Sequence, residues 1–168
     1  MKKTNKNELI VTSVVCLWIF IVNVVAALLG LVGWPMFFVP IFFFIQGADT
    51  KKIPSIFIGA TLGLLASLLL VTGLGTLTPM IGLVPAFMIL IGSILAVIII
   101  GGTVCPIACN NVAFAYLTAN TINLEAITPS TILNNLLVLF IGGGIMLAGA
   151  LFASSIGKKI VSALSAKN

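Results

Sequence analysis

In a chain with no histidine and no arginine, few side chains remain that can do chemistry. The densest group is Asn110 and Asn111, followed by Tyr116, within "GGTVCPIACNNVAFAYLTAN" (Gly101 to Asn120). Each asparagine amide offers two donors and an acceptor. Left unpaired in an apolar setting, such groups are costly. Two kinds of partner are open to them. Asn110 lies one helical turn after Pro106, where proline frees a carbonyl that an amide can cover. Alternatively, the pair hydrogen-bonds a solute. Asn23, inside the first apolar run, is a third amide of this kind.

The groups that are absent narrow the chemistry further. The three acids are Glu8, Asp49 and Glu125, and all lie at the ends of apolar runs or between them. No Asp, Glu, Lys, Arg or His sits inside a run, so a proton relay of the kind used by proton-coupled exporters has no carrier. The small multidrug type of exporter, similar in size, depends on a carboxylate in its first helix, and this chain has none there. No base is placed to activate a nucleophile, so the chain reads as a non-enzyme. There is no phosphate-binding loop for a nucleotide. Cys16, Cys105 and Cys109 lie in apolar stretches with no His or carboxylate nearby, so they read as buried thiols, not metal ligands. No cofactor is expected.

Composition places these residues in a membrane. Of 168 residues, 61% are hydrophobic and 7% charged, and the mean hydropathy is +1.33. Soluble domains are about 25% charged. At ~20 residues per span, the length allows about six helical crossings. The net charge of +5 comes from lysines in small groups: Lys2, Lys3 and Lys6; Lys51 and Lys52; Lys158, Lys159 and Lys167. These flank apolar runs, so they read as topology signals, and no nucleic-acid partner is expected.

Six apolar segments follow: Leu9 to Leu29, Leu31 to Ile45, Ile53 to Val71, Ile81 to Ile100, Gly101 to Asn120 and Ile132 to Ala153. The first is too long for a signal-peptide core and reads as an uncleaved helix. The runs do not alternate as strands of a lipid-facing barrel would. With the N-terminus in the cytoplasm, six crossings put every lysine on the cytoplasmic side, both termini included. The tail, 154–168, carries Ile160, Val161 and Leu164 on one helix face. It reads either as a surface helix or as the frayed end of the last span.

The two halves, about 9–73 and 81–153, share one plan: a long helix, a proline-bearing segment, then a glycine-bearing helix. Three spans per half would invert the second half relative to the first. The short segments are the notable pair. "WPMFFVPIFFFI" carries Pro35 and Pro40, and its rise as a helix would be only ~18 Å, against a ~30 Å hydrocarbon core. Its counterpart carries Gly101, Gly102 and Pro106. Such pairs mark transport sites or are kinked helices packed for shape. Phe38 and Phe42 are read as the narrow point of a pore lined by both segments, with Asn110 and Asn111 as its hydrogen-bonding groups. Pro40, Pro106, Asn23 and Tyr116 complete the candidate set. Gly59, Gly63 and Ser67, then Gly92 and Ala96, then Gly144, Ala148, Gly149 and Ala153, are read as close-packing positions.

The stretch "GWPMFFVPIFFFIQGADTKKIPSIFIGATLGLLASLLL" resembles a bacterial inner-membrane family known only as a domain of unknown function, number one thousand and ninety-seven in its series. The likeness extends through "TLTPMIGLVPAFMIL" and the last two segments. It implies a bacterial plasma membrane location and carries no activity. More distantly, the stretch is similar to the membrane repeat of the fusaric-acid-resistance and aromatic-acid exporters, with Lys51 or Lys52 where those place Arg. Their large soluble domain is missing here. The expectation is a six-helix, homo-oligomeric channel or facilitator for a small neutral or weakly polar solute. The alternatives are a non-transporting accessory subunit and an exporter of aromatic or amphipathic compounds.

Overall fold

The computed structural model describes residues 6–165, all of whose regular elements are helical. Lys2, Lys3 and Lys167 lie outside the described residues. In order the helices are α1 (Lys6–Leu28), α2 (Trp34–Ile45), α3 (Ile53–Ile81), α4 (Leu83–Val104), α5 (Asn111–Thr121), α6 (Pro129–Leu137) and α7 (Gly143–Ser165). A π-helical turn, Val138–Gly142, joins α6 to α7 in one continuous body. Four of the resulting six bodies are long and apolar enough to cross a membrane. The other two, α2 and α5, have 12 and 11 residues. At ~1.5 Å per residue neither reaches across a hydrocarbon core.

The sequence's punctuation explains most boundaries. Pro35 stands in the first turn of α2, where a missing N–H costs nothing. Asp49 caps the turn Thr50–Lys52 by accepting from the Lys51 amide at 2.9 Å. Gly82, at φ +85°, makes the tight turn between α3 and α4.

Three boundaries differ from expectation. The third segment does not end at Val71 but continues as α3 to Ile81, so "GLGTLTPM" is helix and not an outer loop. Thr72 and Thr76 turn their hydroxyls onto carbonyls of their own helix, and Pro79 falls in its last turns. The fifth segment is not one helix from Gly101. Gly101–Val104 finish α4, Cys105 leaves helical geometry just before Pro106 with φ −133° and ψ 67°, and α5 starts only at Asn111. The sixth begins earlier, at Pro129 behind the Thr128 cap. It continues past Ala153, so the tail through Ser165 is part of α7.

α3 packs against α4 and α5, while α7 packs against α1 and α2. The central core draws Val39 and Phe43 from α2, Ile56, Ala60 and Leu64 from α3, Val112 and Tyr116 from α5, and Leu139 and Leu147 from the last body. One flanking cluster joins α3, α4 and α5 through Leu70, Ile94 and Leu117. Two others join α1, α2 and α7 through Ala26, Met36 and Met146, and through Val15 and Ala150. Outward faces carry large apolar side chains such as Leu28, Val97, Ile99 and Phe152.

Glycine sets the closest approaches. A Cβ on Gly63 would strike the backbone of α5 at Ala113 and Leu117, and one on Gly149 would land on the Trp18 indole. Gly92 and Gly144, read from sequence as packing positions, face open space. The same substitution therefore has opposite signs along the chain. Gly63→Ala and Gly149→Ala are expected to lower stability by about 2 kcal/mol or more. Gly144→Ala should be neutral or gain up to about 1 kcal/mol from helix propensity. Reversible unfolding in mixed micelles reads both.

Candidate functional site at the two short helices

After α4 ends, the segment "CPIACN" folds back so that Asn110 becomes the N-cap of α5. Its Oδ1 accepts from the amides of Val112 at 2.9 Å and Ala113 at 3.2 Å. Its Nδ2 reaches four acceptors: Ser55 Oγ at 3.0 Å, the Ser55 carbonyl at 3.3 Å, Pro106 O at 3.2 Å and Ile107 O at 3.1 Å. Two hydrogens shared among four oxygens leave this amide no spare capacity. Gly59 makes the fit possible, because a Cβ there would lie 2.5 Å from Asn110 Oδ1. Asn110 thus closes the loop onto Pro106 and ties α5 to the first turn of α3.

About 9 Å further along α5, the buried Tyr116 meets α2. Its hydroxyl donates to the Pro35 carbonyl, 81 residues away in sequence. Around it stand Trp34, with ring centroids 5.5 Å from Tyr116, and Phe38, also at 5.5 Å and nearly perpendicular at 88°. Trp34 and Phe38 are 5.7 Å apart, and Phe38 and Phe42 are 6.2 Å apart, both edge to face. Such pairs add about 0.5–1.5 kcal/mol each beyond burial. Phe43 is buried in the core, and Phe37 and Phe44 face outward.

The remaining candidates lie on outward grooves. Asn23 donates to Ile19 O of its own helix at 2.9 Å. It shares a groove of about 500 Å³ between α1 and α2 with Cys16, Phe37, Pro40 and Phe44. Asn111 is exposed and lines a groove of about 430 Å³ between α4 and α5, with Gly102, Cys109, Asn110 and Phe114. Neither groove includes Phe38 or Phe42. The eight candidates therefore occupy four places: the Asn110–Pro106 clasp, the Phe38–Phe42–Tyr116 cluster and the two grooves.

Sequence reading missed a buried polar chain. Asn120 Nδ2 donates to Ser67 Oγ at 2.6 Å, and Ser67 Oγ donates to Leu64 O at 2.7 Å. Asn135 Nδ2 donates to Asn120 Oδ1 at 3.2 Å. Ser67 is fully buried, Asn120 is 9% exposed and Asn135 2%. These residues link α3, α5 and α6. The signal that singled out Asn110, an amide within an apolar run, applied equally to Asn120 and Asn135.

Among the described residues no group of His, Cys, Asp and Glu could hold a metal ion; the three cysteines are free thiols but not the buried ones expected, since Cys16 and Cys105 are exposed on outward faces and Cys109 is half-buried. Comparison with family models, curated proteins and solved structures finds no match to the chain. The clasp predicts a contrast between adjacent asparagines. Asn110→Leu removes a cap worth about 1 kcal/mol and strands buried partners costing about 1–3 kcal/mol. Asn111→Leu, on an exposed face, should change stability by less than about 0.5 kcal/mol. Unfolding midpoints of the two variants, measured side by side, decide whether the clasp is structural.

Proposed function

We propose that this protein is a multi-pass membrane protein that passes a small neutral or weakly polar solute across the bilayer as a facilitator. The observation that carries this reading is the meeting of α2 and α5. Both are too short to span, and they touch through Tyr116 and Pro35 beside the central core. Paired interrupted helices at the centre of a bundle are where transporters place their sites. Two inverted three-helix halves, Lys6–Ile81 and Leu83–Ser165, would fit the packing. The third helix of each half lies on the first and second helices of the other. The grooves between α1 and α2 and between α4 and α5 are then counterparts, each holding an Asn, a Cys and a Phe.

The aromatic cluster would be the closed gate, with Phe38 and Phe42 at the narrow point and Tyr116 as its latch. The charged residues whose exposure is described, Glu8, Asp49, Lys51, Lys52, Glu125, Lys158 and Lys159, are all exposed and lie outside the cluster. The solute is therefore taken to be uncharged. Cytoplasmic termini, a bacterial plasma membrane and a homo-oligomer belong to the same reading. The saturated Asn110 amide favours a second reading, a non-transporting accessory subunit, because one of the two pore amides is already spent on the chain itself.

Stopped-flow light scattering on proteoliposomes separates the two readings. The panel is water, urea, acetamide, glycerol and a neutral aromatic alcohol. A facilitator accelerates at least one of these, and Tyr116→Phe, which cuts only the latch, changes that rate several-fold while the protein stays folded. Flux equal to empty liposomes throughout, from folded protein, contradicts the proposal and leaves the accessory role.

A further inference from the structure

The polar chain from Ser67 to Asn135 ends in a deficit. Asn135 Oδ1 is buried and has no hydrogen-bond partner, on a residue only 2% exposed. Leaving a buried acceptor empty is costly, and native structures rarely leave one so. Turning the amides over does not remove it. Reversing Asn135 alone would set its oxygen against Asn120 Oδ1, which now accepts from Asn135 Nδ2. Reversing both would move the deficit from an oxygen to the N–H groups of Asn135. Either way one edge of Asn135 stays unpaired.

Three helices converge here, α3 with Ser67, α5 with Asn120 and α6 with Asn135. The regular ladder of α6 breaks three residues further on, at the π-helical turn Val138–Gly142. Such turns widen the helix and recur at functional sites. Asn120 and Asn135 each have a second amide hydrogen that no recorded bond uses. An unpaired acceptor next to unused donors matches a molecule with both functions.

We infer that Ser67, Asn120 and Asn135 form a binding site for one small neutral molecule carrying both a hydrogen-bond donor and an acceptor, with its donor on Asn135 Oδ1. Water and a primary amide share that chemistry. The site is distinct from the Tyr116 latch, and it stands whether or not any solute crosses the bilayer.

Solid-state NMR on the full chain in phosphatidylcholine–phosphatidylglycerol bilayers tests this directly. The protein is labelled with ¹³C and ¹⁵N, and the Asn135 side chain is assigned through Asn134 and Leu136. Polarisation is transferred from water, then separately from added acetamide in deuterated water. A water cross-peak at the Asn135 amide at short mixing times identifies water as the occupant. A saturable downfield shift of Asn135 Cγ on acetamide titration identifies the amide. If neither reaches Asn135 while exposed Asn111 responds to water, the site is empty and the inference is wrong. Because no flux is measured, failure here and failure of the facilitator reading are separate results.

Discussion

The structure depends on the backbone of α5 lying directly on the backbone of α3. Gly59 and Gly63 remove the side chains that would hold the two apart, and Asn110 fills the space over Gly59 with an amide bonded on both sides. Only after this contact is made can an 11-residue helix, too short to be stable alone, hold a fixed place. Its position then places Tyr116 at Pro35 and Asn120 at Ser67. The aromatic cluster and the polar chain are both consequences of that one approach.

The fold handles polarity in a uniform way. The hydroxyls of Thr61, Ser67, Thr72, Thr76, Ser93, Thr103, Thr118 and Thr121 all return to carbonyls three or four residues back in their own helices. Asn23 does the same. In an apolar medium this satisfies each group without needing a neighbour. Among the described residues, polar groups that reach between helices include Trp18 to Met146 O, Asn110 to Ser55, Tyr116 to Pro35, and the Ser67–Asn120–Asn135 chain. These are the contacts that specify which helix faces which, because apolar packing alone discriminates weakly.

What could be read from the sequence follows the range of each interaction. α2 begins at Trp34 and ends at Ile45, as its prolines and phenylalanines announce. The partnership of Asn110 with Pro106 was readable because it spans four residues. Its bonds to Ser55, and the Tyr116–Pro35 bond, span 55 and 81 residues, and no local pattern encodes such pairings. The fifth segment, Gly101 to Asn120, reads as a proline-interrupted span, apolar apart from its amides, Tyr116 and two threonines. Hydropathy alone does not register that Cys105 before Pro106 must leave the helix. At four-residue spacing from Gly63, Ser67 reads as a small packing residue. It is that, and it is also the point where the polar chain meets α3.

The most direct measurement is a double-mutant cycle between Gly59 and Asn110. If Gly59 is glycine because Asn110 occupies the space above it, Gly59→Ala is harmful in the natural chain and harmless once Asn110 is cut back to Ala. The expected coupling energy is above about 1 kcal/mol, as found for residues in direct contact. Additive losses, with Gly59→Ala equally damaging in both backgrounds, would contradict it and separate the placement of α5 from the Asn110 clasp.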